Sequence, residues 1–206
     1  MKKDLQQLYF EKRYRSRDYY WGTEPNKITK KIAEYVKLGT LLDIGAGDGN
    51  DAMFMAQKGF RVTCVDYSKE AMKKLRFKAK KPRLTVNCLT EDIRKFKYAS
   101  KFDVIMSFAT LHFMGQKDII KVIKKMKSNT KPGGINAISA FTERNPYKGF
   151  PYLLKKSELK GFYNDWDILY YSERFTPWER HEDGAPLHRH AVAYIIARNT
   201  KKPKTS

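Results

Sequence analysis

The chain has 206 residues, 41% hydrophobic and 14% aromatic, with a formal charge of +20 at pH 7. That length suits one domain with one sizeable core, and that apolar content excludes a disordered chain. The charged opening Met1–Gln7 lacks the apolar stretch of a secretory signal, and no later run is long and apolar enough to span a bilayer, so a cytoplasmic protein without a membrane partner is expected.

The expected organisation is a single domain over 1–199, made of an N-terminal helical segment (1–39) and an α/β core (40–199), with a flexible tail at 200–206. From Thr40 onward, short apolar runs alternate with segments of helical period. The first strand, Leu41–Ile44, ends in a glycine-rich turn, after which Asn50 or Asp51 can cap a helix that Gly59 stops. The second strand is Arg61–Asp66; Ser68 then caps a helix carrying Ala71, Met72 and Leu75, and Pro82 closes the unit. Leu84–Cys88 is the third strand and Phe102–Phe108 the fourth. An amphipathic helix follows, with Ile119, Ile120, Ile123 and Met126 on one face and lysines on the other. Lys131-Pro132-Gly133-Gly134 turns the chain into a fifth strand, Ile135–Phe141. Beyond it come a loop through Asn145 and Gly149, a short helix near Ser157–Tyr163, and two runs, Trp166–Glu173 and Ala191–Arg198, that read as an antiparallel pair. The fold class expected is a Rossmann-like, doubly wound, mostly parallel seven-stranded sheet with an antiparallel edge strand and helices on both faces. Cys64 and Cys88 fall within strands and read as small buried side chains; no metal site is read anywhere in the chain.

The chemistry begins in Asp43-Ile44-Gly45-Ala46-Gly47-Asp48-Gly49, whose glycines let the backbone turn off the first strand and approach a ligand closely. A dinucleotide fingerprint requires Gly or Ala where Asn50 stands, which weakens a pyrophosphate reading. Asp66, 21 residues past Gly45 and at the end of the second strand, stands where a carboxylate accepts both hydroxyls of a ribose. In Glu91-Asp92-Ile93, after the third strand, an acid can accept an adenine amine while Ile93 packs on the ring; Asp92 reads equally as a helix cap. These features alone leave a dinucleotide and a methyl donor both open.

With those residues in place, roughly Tyr19–Arg198 resembles a class I S-adenosylmethionine-dependent methyltransferase. Asp43–Gly49 is similar to its first motif, Asp66 to its ribose acid, Glu91-Asp92-Ile93 to its adenine segment, Phe102–Met114 to its fourth-strand segment and Lys131–Gly134 to its turn before strand five. The last third, Gly149–Leu154 with Glu158–Tyr163 and Trp166, resembles the tellurite-resistance methyltransferases of the TehB type. Two motifs depart from that family: Ala46 and Asn50-Asp51 stand in place of Cys and Arg-Asn in the first, and Glu179-Arg180 in place of a late His-Arg pair.

The resemblance implies S-adenosyl-L-methionine as cofactor, S-adenosyl-L-homocysteine as product, and a small-molecule nucleophile as acceptor, a thiol or an oxyanion such as tellurite or selenite. It implies cofactor contacts from Tyr20, Trp21, Asp43, Gly45, Ala46, Gly47, Asp66, Tyr67, Glu91, Asp92, Ile93, Phe108 and Ala109. Tyr19-Tyr20-Trp21-Gly22 is a candidate lid, since aromatic faces attract a sulfonium; the same residues could instead staple the N-terminal helix onto the core. His112 is placed to orient or deprotonate the acceptor, and Arg180 and Arg189 to hold an oxyanion by forked hydrogen bonds. Asn145-Pro146-Tyr147 looks like part of the tetrad of amino-group DNA methyltransferases, but it follows the fifth strand rather than the fourth. The high charge fits a solvated surface, with nucleic-acid contact as its functional counterpart. An RNA-directed methyltransferase and a non-catalytic module that binds the donor are the alternative readings, and no feature sets an oligomeric state.

Overall fold

The computed structural model describes residues 3–16, 23–80, 82, 84–180 and 186–201. Seven strands, β1 (Thr40–Ile44), β2 (Arg61–Asp66), β3 (Val86–Thr90), β4 (Phe102–Phe108), β5 (Thr130–Phe141), β6 (Asp167–Phe175) and β7 (Ala191–Arg198), form one sheet in the order β3-β2-β1-β4-β5-β7-β6. Strands β1 to β5 pair in parallel, and β7 runs antiparallel to both β5 and β6. The expected antiparallel pair does form one edge; its reversed member, β7, lies inside and β6 is outermost.

Strand residues alternate between two cores, as a pleated sheet covered on both faces requires. Leu41, Val62, Cys64, Val104, Met106 and Ile135 pack on one side with α1 (Lys3–Ser16), α2 (Lys27–Tyr35), α3 (Asn50–Gln57) and α4 (Lys69–Lys80). Leu42, Ile44, Val65, Ile105 and Ile138 pack on the other with α5 (Gln116–Ser128) and the segment after α6 (Glu158–Gly161). The α5 stripe of Ile119, Val122, Ile123 and Met126 is buried, each side chain contributing about 1.5–3 kcal/mol. Beside β5 buried polar groups pair with one another: Thr130 Oγ1 donates to Asn136 Oδ1 at 2.6 Å, and Asn136 Nδ2 to the Tyr163 hydroxyl at 3.0 Å.

Three local expectations change. The third strand starts at Val86 instead of Leu84, because the Leu84 amide donates to Ala79 O at 3.1 Å and is spent closing α4. Neither Asn50 nor Asp51 caps α3; Gly49 does, by its backbone, while the Asp51 carboxylate accepts from Asn26 N at 2.7 Å and from the Thr29 hydroxyl at the start of α2. The Lys131–Gly134 turn lies inside β5 as an irregularity, where the register against β4 shifts between Phe102 and Val104 and Gly133 N donates to Asn199 O at 2.9 Å.

The chain winds from β1 outward to β2 and β3, then back to β4 and β5 on the other side. That reversal opens a crevice beyond the carboxyl ends of β1 and β4, where ligands of such sheets bind.

Candidate functional site

A cleft of about 650 Å³ fills this crevice. Its floor is the turn after β1, tied to β2 by Gly45 N donating to Val65 O at 2.7 Å. Gly45 (φ 76°) and Gly47 (φ 55°) both lie in the left-handed region. A Cβ on Gly45 would stand 2.2 Å from Thr110 Oγ1, and one on Gly47 2.6 Å from the Tyr14 hydroxyl, so the backbone alone fits there.

Asp66 ends β2 with both oxygens anchored: Gly47 N donates to Oδ2 and Ser68 N to Oδ1, each at 2.9 Å. Burial pushes its carboxyl up to about 6 in spite of those two donors. Asp43, at the end of β1, is pushed well above the carboxylate range by burial and then by the charges of Asp51 and Asp66. Asp51 is also raised, chiefly by burial. Seven carboxylates line the cleft against the guanidinium groups of Arg13 and Arg94, in a protein whose sequence carries a large positive excess. Three of the seven, Asp43, Asp48 and Asp66, are buried, which is costly without a cation among them and favours a positively charged ligand.

Tyr67, Ile93, Phe108, Ala109 and Ala46 also line the cleft. Ala109 holds a positive φ of 49° where β4 ends, with its amide donating to Ser139 O and Oγ at 3.2 and 3.1 Å. The Tyr67 hydroxyl is buried without a hydrogen-bond partner among the described residues. Asp92 reaches the cleft, but its carboxylate is forked by Arg94 Nε and Nη2 at 2.8 and 2.7 Å and also accepts Arg94 N at 3.1 Å, the local capping alternative. Glu91 is exposed and does not line the cleft. Tyr20 and Trp21 lie outside the described residues.

His112 sits in a 3-10 turn after β4, buried, with its ring stacked 3.7 Å from that of Phe141 and edge-on to Phe150. Burial, and then His190, hold its pKa down to about 3, so it is a neutral imidazole, suited to orienting an acceptor and poorly suited to taking its proton. Its Nδ1 has no partner among the described residues. Arg180 is exposed and Arg189 lies with its guanidinium 4.2 Å from the Phe175 ring centroid and 4.8 Å from that of Trp178; neither lines the cleft. In this arrangement the guanidinium face of Arg189 lies over aromatic rings and away from the cleft lining.

Two groups of lining residues escape the sequence reading. Gln6, Tyr9, Phe10, Arg13 and Tyr14 of α1 roof the cleft, a three- and four-residue spacing that marks one helix face. Glu179, His188 and His190 close its far end; His188 and His190, two apart before a strand, share a face. The helix is tied down by the Glu11 carboxylate, which accepts Ser68 Oγ, Lys69 N and Glu70 N at 2.9, 2.8 and 3.0 Å, and by Gln7 Nε2 donating to Tyr67 O at 3.2 Å.

Comparison with known proteins gives this architecture relatives. The family model described as "Tellurite resistance protein TehB" matches residues 6–189. The "Probable S-adenosyl-L-methionine-dependent methyltransferase TehB" of Haemophilus influenzae is 24% identical over 193 residues, 92% of this chain. This chain spans 65% of that relative's length. The crystal structure of TehB from Haemophilus influenzae superposes with a TM-score of 0.79 at 24% identity, covering 94% of this chain and 67% of that one. The N-methyltransferase NodS from Bradyrhizobium japonicum, in complex with S-adenosyl-L-homocysteine, superposes with a TM-score of 0.73 at 15% identity, covering 95% and 98%. A glycine turn without room for side chains, an anchored acid at the end of β2 and a family match over nearly the whole sequence agree: the chain belongs to the TehB family.

Proposed function

We propose that the protein binds S-adenosylmethionine in the cleft and transfers its methyl group to a small nucleophile, a thiol or an oxyanion such as tellurite or selenite. The observation that carries this reading is the convergence of Asp43, Asp51 and Asp66, all raised in pKa by burial, on a ligand space that suits a cation. The donor brings an ammonium and a sulfonium to that space, and its sulfonium supplies an already activated methyl group. Asp66 receives the ribose hydroxyls, Ile93 and Tyr67 flank the adenine, and the turn at Gly45-Ala46-Gly47 admits the amino-acid portion against Asp43.

The residues of the chain then have to align and shield. Holding acceptor and methyl in line supplies up to about 7–11 kcal/mol of barrier lowering. Phe10 and Tyr14 of α1 cover the donor, and His112, Phe141 and Phe150 wall the acceptor end; excluding water there favours an anionic nucleophile whose charge is neutralised in the transition state. His112, held neutral, orients the acceptor by a hydrogen bond. The cleft volume, about 650 Å³, lies within the roughly 300–1,000 Å³ typical of small-molecule sites. Among the described residues no helix is long and apolar enough to cross a membrane, and Cys64 and Cys88 are free and buried; a reducing cytoplasm is the proposed location.

One feature favours a second reading, RNA as acceptor: the formal charge of +20. Incubation with radiolabelled donor and three acceptor pools, oxyanions with thiols, total RNA, and protein extract, separates these. Label on the small molecules is expected; label confined to RNA selects the second reading, and donor binding without label in any pool selects a non-catalytic donor-binding module.

A further inference from the structure

The far end of the cleft holds a cluster that methyl transfer from a sulfonium does not require. Glu179 and His188 face each other in an isolated antiparallel bridge, with Glu179 N donating to His188 O at 2.7 Å and His188 N to Glu179 O at 2.9 Å. His190, two residues on, falls on the same face. One ligating atom from each of the three side chains lies within 4.8 Å of the other two, and His190 Nε2 is 3.7 Å from Glu179 Oε1.

The outer nitrogens of both rings are fixed by acceptors. His188 Nδ1 lies 2.8 Å from Pro186 O, and His190 Nδ1 3.2 Å from Asn145 Oδ1. A carbonyl oxygen only accepts, so each Nδ1 carries a proton, and in the neutral ring Nε2 is the nitrogen that can ligate. Metal-ligating histidines are built this way, the second nitrogen donating to an oxygen that sets tautomer and ring orientation. Asn145 is fully buried, and its Nδ2 has no partner among the described residues, so it is retained there at a cost that its role toward His190 explains. His190 is held further by stacking 4.3 Å from Phe141 and by its amide donating to Thr176 Oγ1 at 2.9 Å.

We propose that Glu179, His188 and His190 form a binding site for a divalent transition-metal ion of the Zn(II) class. Two imidazole nitrogens and one carboxylate oxygen suit such an ion and not Mg(II) or Ca(II), which take oxygen ligands. Tetrahedral ligands at about 2.0–2.1 Å from the metal stand roughly 3.3 Å apart, so modest side-chain rotations from the observed spacing close the site. Three protein ligands leave a fourth position, and all three residues line the cleft, so that position opens toward the acceptor end. Resting on the methyltransferase reading above, the ion there binds a thiolate or oxyanion acceptor, a task the two late arginines do not perform in this arrangement.

The test uses the full chain after chelator treatment, with Co(II) as spectroscopic probe and Zn(II) as competitor. One equivalent of Co(II) is expected to give the intense visible absorption of a four-coordinate site and to be displaced by Zn(II). His188→Gln and His190→Gln are each expected to weaken binding at least about 100-fold, and Asn145→Leu by about 10–100-fold, whereas Asn145→Asp, which keeps an acceptor for His190 Nδ1, retains affinity. Circular dichroism and S-adenosylhomocysteine affinity report whether each variant still folds. Co(II) binding that is absent, or unchanged in both histidine variants, overturns the proposal. Failure of the methyltransferase reading is separate: the unaltered protein would then bind Co(II) but not S-adenosylhomocysteine.

Discussion

Asp66 is a buried carboxylate whose ionisation opposes folding in the absence of ligand and favours binding of a cationic one. The folded protein keeps its proton up to about pH 6, whereas an unfolded chain releases it near 3.8. Between those values the folded state binds more protons than the unfolded state, so this group's contribution to stability falls as pH rises through the window and is lowest above it. Ribose hydroxyls and a sulfonium favour the ionised form, which lowers its pKa in the complex. Affinity for S-adenosylhomocysteine or the donor is therefore expected to weaken as pH is lowered through about 6, with proton release on binding near that pH, both measurable by calorimetry in buffers of different ionisation enthalpy. Asp66→Asn is expected to cost about 1.5–3 kcal/mol of donor affinity, read by calorimetry, because its amide keeps only one of the two acceptor oxygens. At Gly45 the constraint is steric: Gly45→Ala sets a Cβ 2.2 Å from Thr110 Oγ1 at a φ of 76°, and loss of donor binding with about 1–3 kcal/mol of destabilisation is expected in calorimetry and denaturant titration.

At the scale of elements, α1 is joined to the core by a few specific contacts in place of a sheet. Its mean burial is low, with Leu5 and Leu8 more than half exposed, while Phe10 and Tyr14 are buried over the glycine turn. The Glu11 carboxylate serves as a cap for α4 supplied from another helix, which couples the roof of the cleft to the helix following Asp66. Glu11→Ala is expected to cost about 0.5–2 kcal/mol, read as faster hydrogen exchange in α1 and the first turn of α4 and as weaker donor affinity. Removal of the chain before Asn26 deletes this roof together with Tyr19–Gly22; donor binding is expected to fall while β1 to β5 stay folded, as shown by retained exchange protection in β1 and β4. If donor affinity survives that truncation, the roof is a staple of the helix and not a cover for the ligand.

For the whole molecule the contrast is between surface and cleft. The chain carries a formal +20, yet carboxylates outnumber guanidinium groups in the cavity lining. On α5 the exposed lysines Lys117, Lys121 and Lys124 lie opposite the buried stripe, where solvation satisfies them. A surface of this kind retains polyanions at low salt; with no nucleic-acid substrate, RNA retention is expected to fall steeply as salt rises to physiological strength, without any change in methylation of small acceptors. Filter binding across a salt series, run beside the acceptor-pool assay, separates a non-specific field from a substrate site.

The sequence by itself determined the order of elements and the fold class, because those depend on local signals. Period-two apolar runs, glycines directly after a strand and an acid 21 residues later mark positions along one stretch of chain. The start of β3 was not legible, since the competing claim of Ala79 O on the Leu84 amide is a hydrogen bond across a turn. Only the tertiary structure decided the rest. It decided that α1 roofs the cleft, that Asp92 is taken by Arg94, that Arg189 is stacked on Phe175, and that Glu179, His188 and His190 converge with Asn145 behind them. Each of these depends on which side chains from distant segments meet, and a side chain's chemistry follows from its neighbours and burial, quantities that exist only once the chain has closed on itself.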